Sequence, residues 1–167
     1  FFSRDKATYG VLGDLGAHKI DLISYLIDDE IETIFSRLLT LDKRFPSGEL
    51  IDLEDNAYCL FRTKGGVPGS IEVSWTNYGL EDNSTSIYGT KGCMKIFSSP
   101  QIDILIEFSD GSQASFNVGG ISTNVAQLPS GVIDAFIASV QGADLSIHAG
   151  DGQHSIACLE AARKSDQ

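Results

Sequence analysis

Cysteine, methionine and positive charge are all scarce in this chain of 167 residues, and each scarcity excludes something. The three cysteines, Cys59, Cys93 and Cys158, are odd in number and far apart. That fits neither a disulfide framework nor a thiolate zinc motif, and they read as small buried thiols in a reducing compartment. Lys and Arg number 12 against 23 Asp and Glu, a formal charge of −11 with neutral histidines. Binding to nucleic acid or to an anionic membrane needs clustered Lys and Arg to offset phosphate charge, and no such run is present. No apolar stretch approaches the roughly 18 residues of a membrane span, and no basic-then-apolar signal segment opens the chain. The expected location is cytoplasmic. Met94 is the sole methionine, so Phe1 is not a translational start and the chain is expected to begin inside a longer polypeptide.

A chain of this length can bury roughly 70% of the surface its unfolded form exposes, so a single domain over 1–167 is the default. After a short polar stretch that could close a strand, Val11 to about Asp28 reads as a helix. Leu12, Leu15, Leu22, Ile23 and Leu26 lie on one arc, which Lys19 interrupts. From Glu30 to Phe45 the composition turns β-branched and aliphatic. Further strands are expected at Asn56–Arg62, Ser70–Tyr78, Ser86–Tyr88, Met94–Phe97, Ile102–Phe108 and Ala114–Val118. Lys64-Gly65-Gly66, Gly89-Thr90-Lys91-Gly92 and Asp110-Gly111 mark turns between them. Ile71, Val73 and Trp75 alternate with Glu72, Ser74 and Thr76, as a sheet with one dry face requires. Two helices are expected at the end. One is capped by Ser130, runs through Val132, Phe136, Ile137 and Val140, and stops at Gly142. The other is capped by Asp151 and carries Ile156, Leu159 and Ala162. This is an α+β plan: an open, mainly antiparallel sheet of about six or seven strands with helices on one face.

Chemistry concentrates in the first helix. Asp14, His18, Asp21 and Tyr25 fall at i, i+4, i+7 and i+11, within a narrow stripe. A carboxylate one turn from an imidazole can orient the ring and raise its basicity, which suits proton transfer with a substrate hydroxyl. A solvated polar face is the other reading. Gly10, Gly13 and Gly16 each cost roughly 1 kcal/mol against alanine inside a helix. Close packing or the approach of a flat ligand would offset that cost. Thr123, Asn124 and Gln127 could present polar groups to a polyol or simply cap turns. Trp75 and Tyr78 could stack on a sugar face or pack in the core. His148, Asp151 and His154 have metal-capable types, but Asp151 is better explained as a cap, so no metal site is assigned. No nucleophile elbow and no Cys–His pair of defined spacing is found, so covalent hydrolase chemistry has no support.

The run Gly10-Val11-Leu12-Gly13-Asp14-Leu15-Gly16-Ala17-His18-Lys19-Ile20-Asp21-Leu22 resembles the D-x-G-x-H-x-x-D signature of the glucose–fructose oxidoreductase / inositol dehydrogenase (Gfo/Idh/MocA) superfamily. There it opens the C-terminal, substrate-binding domain. Glu54-Asp55-Asn56-Ala57, Gly69 to Trp75, Tyr88 to Gly92, Asp134 to Ile137, and Asp151-Gly152 with Glu160-Ala161-Ala162 resemble further landmarks in order. The resemblance implies a sheet like that of glyceraldehyde-3-phosphate dehydrogenase. It also implies NAD(P)-dependent chemistry on a sugar, polyol or related hydroxyl or carbonyl compound. By the same resemblance His18 would assist proton transfer and Asp14 would bind substrate or orient the site. Asp21 and Gly16 would be structural. Tyr9 stands where a small residue is common and would reshape the pocket, and Lys19 replaces a residue that is commonly apolar.

The Rossmann domain that holds NAD or NADP in that family, with its Glu-Lys-Pro lysine, has no counterpart in this chain. The isolated chain is therefore expected to bind no cofactor and to be inactive. The family's sheet commonly packs on its copy in another subunit, which implies a homodimer or larger oligomer through the Asn56–Val118 strands. A non-catalytic binding or scaffold relative is the alternative, and the Asp14/His18 pairing argues against it.

Overall fold

The computed structural model describes residues 2–119, 131–143 and 149–167. Its helices and strands form for local reasons that are visible in the sequence. Residues 2–10 are turns and bends rather than the end of a strand, with Lys6 and Ala7 both donating backbone N–H to the Ser3 carbonyl. The first helix begins at Val11, as its apolar arc requires, but opens through a π-helical turn, Leu12–Gly16, before continuing as α1, Ala17–Ile27. In the π turn the Ala17 N–H reaches back five residues to the Leu12 carbonyl. The helix stops at Asp28, which takes the left-handed conformation at φ 51°. Asp tolerates that region better than most residues because its short polar side chain can bond locally.

Seven strands follow: β1 (Ile31–Leu39), β2 (Asn56–Thr63), β3 (Pro68–Ser74), β4 (Thr85–Gly89), β5 (Gly92–Ser99), β6 (Ile102–Phe108) and β7 (Gln113–Phe116). Every pairing is antiparallel. The expected turns join β2 to β3, β4 to β5 and β6 to β7. The strands form two ladders, β1-β2-β3 and β4-β5-β6-β7. They belong to two compact units, one of Phe1–Asn77 with Leu145–Gln167 and the other of Tyr78–Asp144.

In the first unit the sheet's inner face carries Ala57, Cys59 and Phe61 from β2 and Ile71 and Val73 from β3, each separated by an exposed neighbour. Val11, Leu12 and Ile20 from the first helix close over them. So do Cys158, Leu159 and Ala162 from α3 (Ala149–Ser165). Ser155, Cys158, Leu159 and Ala162 are the buried stripe of α3, at helical spacing. The same helix covers the free edge of β1. The Ser36 N–H donates to Ser165 Oγ at 2.9 Å and the Leu38 N–H to Asp166 Oδ1 at 3.1 Å. Edge donors that would otherwise template another strand are thereby satisfied. Asp151 lies in the first turn of α3 and not at its cap, because the helix begins two residues earlier.

In the second unit no described residue is fully buried. α2 (Val132–Val140) ends where expected, with Gly142 at φ 93°, and it starts from Gly131 with no side-chain cap. Ser130 lies outside the described residues. Val132, Ile133, Phe136, Ile137 and Val140 are all exposed.

Candidate functional site

The expected site is built where the π turn meets the end of β3. Glu54 anchors the start of the helix. Its carboxylate Oε1 accepts the Gly10 N–H at 2.7 Å and the Leu12 N–H at 3.3 Å, while its backbone carbonyl accepts Val11 at 2.9 Å. A negative group at a helix N-terminus is favoured by both the free N–H groups and the helix dipole. The three spaced glycines serve this packing. A Cβ on Gly10 would lie 2.1 Å from the Glu54 carbonyl oxygen, and one on Gly13 would lie 2.5 Å from Tyr9 Cβ. On Gly16 it would press on Leu12 at 2.9 Å and touch Val73 at 3.9 Å. Protein atoms, not a ligand, occupy the space these glycines free.

Asp14 lies inside the π turn, and its Oδ2 accepts the Trp75 indole N–H at 2.9 Å. Trp75 follows β3 directly and extends its inner face by one residue pair beyond Val73. Its backbone N–H donates to the Asp55 carbonyl at 2.8 Å, and its ring meets Phe2 edge-on at a centroid distance of 5.3 Å. His18, Asp21 and Tyr25 share one side of α1 at α-helical spacing and are exposed. Asp14 belongs to the π turn and the other three to α1. Among the described residues, His18 makes no hydrogen bond or ion pair, with Asp14 or with any other.

Tyr9, expected beside a pocket, is committed elsewhere. Its hydroxyl donates to Glu160 on α3, and Glu160 Oε2 also accepts Arg163 Nη2 at 3.1 Å. Burial and then the adjacent Glu160 carboxylate push the phenol up to about 12, so it is neutral and a donor. Asn124, Thr123, Gln127 and His148 lie outside the described residues. Among the described residues no three His, Cys, Asp or Glu side chains converge as a metal site.

Two features escape the sequence reading. The first is Asp55, which is fully buried. Its Oδ1 accepts the Leu41 N–H at 2.7 Å and its Oδ2 accepts Asp42 at 2.9 Å and Lys43 at 2.7 Å. Burial alone would raise its pKa. The three backbone donors and the Asn56 amide outweigh burial and hold the carboxyl below its ordinary value. Asn56 Nδ2 bridges Asp55 Oδ1 and Thr76 Oγ1, each at 2.8 Å, so this anchor reaches the residue after Trp75. The only sequence signal was three consecutive polar residues leading into an alternating strand.

The second is a Cys–His pair, where none was expected. His154 Nε2 is 3.4 Å from Cys158 Sγ, one turn away on α3. Burial, and then the Glu30 charge, raise the thiol pKa, which keeps this cysteine protonated and inert at neutral pH. Burial likewise pushes Cys59 up to about 11.

The start of the first helix does not fit the pyrophosphate of a dinucleotide. The first helix follows turns rather than a strand, and the N–H groups at its start, where a pyrophosphate would dock, are already bonded to Glu54.

The family model described as the GFO/IDH/MocA C-terminal domain matches residues 1–95. No curated protein sequence gives a significant match. Among solved structures, an oxidoreductase domain protein from Kribbella flavida is 20% identical with a TM-score of 0.78, covering 99% of this chain and 51% of its own. Levoglucosan dehydrogenase in complex with NADH and levoglucosan is 22% identical with a TM-score of 0.74, covering 95% and 48%. The WlbA dehydrogenase from Bordetella pertussis, in complex with NADH and UDP-GlcNAcA, is 21% identical with a TM-score of 0.67, covering 95% and 43%. These likenesses establish the fold, and the chain spans about half the length of each protein it matches.

Proposed function

The chain belongs to the GFO/IDH/MocA C-terminal domain family, and from that premise we propose that it is the substrate-binding and oligomerisation domain of an NAD(P)-dependent oxidoreductase acting on a sugar, polyol or related hydroxyl or carbonyl compound. The observation that carries this reading is the exposed group of Asp14 and His18 at the helix opening, braced by Glu54 and Trp75. NAD or NADP would supply the hydride chemistry and would have its pyrophosphate held by residues outside this chain, since the N–H groups that open the first helix are taken by Glu54. Two complexes with NADH among the structural relatives support that cofactor class.

In this reading His18 takes the proton from a substrate hydroxyl during oxidation and returns it during reduction. Its exposure and its lack of a protein partner among the described residues leave both ring nitrogens able to face a ligand. Asp14 accepts a hydrogen bond from a neighbouring hydroxyl and sets the orientation of the reacting carbon. Asp21 and Gly16 shape the helix, Gly16 by allowing its approach to β3. Asn124 is assigned to substrate binding on sequence grounds alone.

The test is His18→Ala in the full-length protein, assayed with NAD+ and NADP+ against a panel of sugars and polyols. Loss of a positioned general acid–base group predicts a fall in kcat of about 10²–10⁴-fold with circular dichroism and melting unchanged. A wild-type protein that turns over none of the panel but binds one of its members would instead support a non-catalytic relative of the same family.

A further inference from the structure

We propose that Trp75 is a positioning residue: its indole N–H pins one oxygen of the Asp14 carboxylate and leaves the other, Oδ1, aimed for a substrate hydroxyl. This rests on the function proposed above and assigns Trp75 a role different from stacking on a sugar ring. An indole has a single donor and no acceptor, and here that donor is spent on Asp14 Oδ2 at 2.9 Å. Among the described residues Oδ1 has no partner. Asp14 is exposed, so without the indole its carboxylate would sample several rotamers and would have to be ordered each time a ligand bound. A charge-assisted bond from a fixed donor removes that cost in advance.

The indole is itself fixed. Its backbone N–H is bonded to the Asp55 carbonyl at 2.8 Å, its ring is half-buried against the core, and the Phe2 edge lies across it at 76°. Asp55 is in turn held by three backbone N–H groups, so the chain of support from Asp14 ends in a buried anchor. The π turn and Gly16 bring the two ends together. Gly16 lets the helix settle against Val73, and two residues back along the helix Asp14 meets the residue two further along the strand, Trp75. π-helical turns recur at functional sites because they re-aim one side chain without ending a helix.

The experiment uses the full-length protein and two readouts. W75F keeps an aromatic ring and removes the donor. With the sugar or polyol that the wild type turns over fastest, KM should rise about tenfold or more and kcat should fall by less than in His18→Ala, because Asp14 then holds and orients the substrate poorly but His18 is untouched. Independently, the Trp75 indole N–H resonance in a Trp-labelled protein, assigned by its nuclear Overhauser contacts to the Phe2 ring, should move upfield in D14A, which removes the acceptor.

An unchanged KM in a folded W75F overturns the proposal. An indole resonance unmoved by D14A overturns it as well, and does so even if W75F fails to fold. Failure of the wild type to turn over any sugar or polyol with either nucleotide overturns the proposed function and this role with it. The resonance still reports whether the Asp14–Trp75 bond exists, which separates that outcome from the others.

Discussion

Asp55 has the most exacting surroundings of any residue in the first unit, and it shows how a single side chain can hold a long loop. Its carboxylate satisfies the backbone of 41–43, a stretch with no ladder of its own. Asn in its place would offer one acceptor instead of two oxygens and would turn an NH2 group toward backbone donors. Asp55→Asn should cost about 3 kcal/mol or more, measured by urea unfolding, since bonds to a charged group are each worth roughly 1.5–3 kcal/mol and an orphaned buried donor adds its own penalty. The pH dependence has a definite sign. A carboxyl whose folded pKa is depressed contributes stability that is complete above its unfolded value of about 3.9 and is lost as pH falls through the folded value. Wild-type stability should therefore drop below about pH 4, and part of that acid limb should be missing in the variant. Residue identity alone did not reveal this: an Asp in a D-N-A-x strand opening reads equally well as a surface residue until the loop folds over it.

At the scale of elements, the first helix shows how local pattern and tertiary contact divide the work. Its apolar arc, and hence its extent, follows from periodicity, and Val11 to Ile27 agrees with the expected span. The π turn does not, because the glycines of Leu12–Gly16 weaken an α-helix without marking i→i+5 bonding. It arises where Glu54 grips the helix start and Gly16 meets β3. Gly10→Ala should test that grip. A methyl 2.1 Å from the Glu54 carbonyl oxygen must push the helix off β2's leading residues. A destabilisation of about 2–3 kcal/mol is expected from such overpacking. A melting temperature unchanged or raised in Gly10→Ala would show that the helix can start elsewhere without loss. The final helix makes the complementary point: Leu159 and Ala162 are buried as patterned, while Ile156 is exposed because the stripe facing the sheet runs through Ser155 and Cys158.

At the scale of the molecule, the outer face of the β1-β2-β3 sheet carries exposed apolar side chains. Phe35 pairs across the ladder with Leu60, and Tyr58 lies two residues along on the same face. All three are exposed, Phe35 and Leu60 by 60% and 63%. Apolar side chains grouped in this way mark contact surfaces more often than free ones. A homo-oligomer through this sheet is our proposal for what covers them. Leu60→Glu should lower the assembly mass in sedimentation equilibrium while the far-ultraviolet spectrum stays constant. An unchanged mass would remove this face from the interface. No helix among the described residues is long and apolar enough to cross a membrane.

What the sequence determined by itself were the features that depend on near neighbours: the alternation of Ile71 and Val73, the glycine turns between strands, the extent of the first helix and the family signature from Gly10 to Leu22. Its net charge of −11 was likewise legible without any structure, because net charge is a sum over residues and needs no contacts. The tertiary structure alone decided how the seven strands divide into two ladders, since antiparallel pairing looks the same in sequence whether or not a strand continues its neighbour's sheet. It alone decided that Asp14 answers to Trp75, 61 residues away, and not to His18 on its own helix. Spacing rules describe an ideal helix, and a backbone gripped from outside by Glu54 and Val73 is free to depart from one.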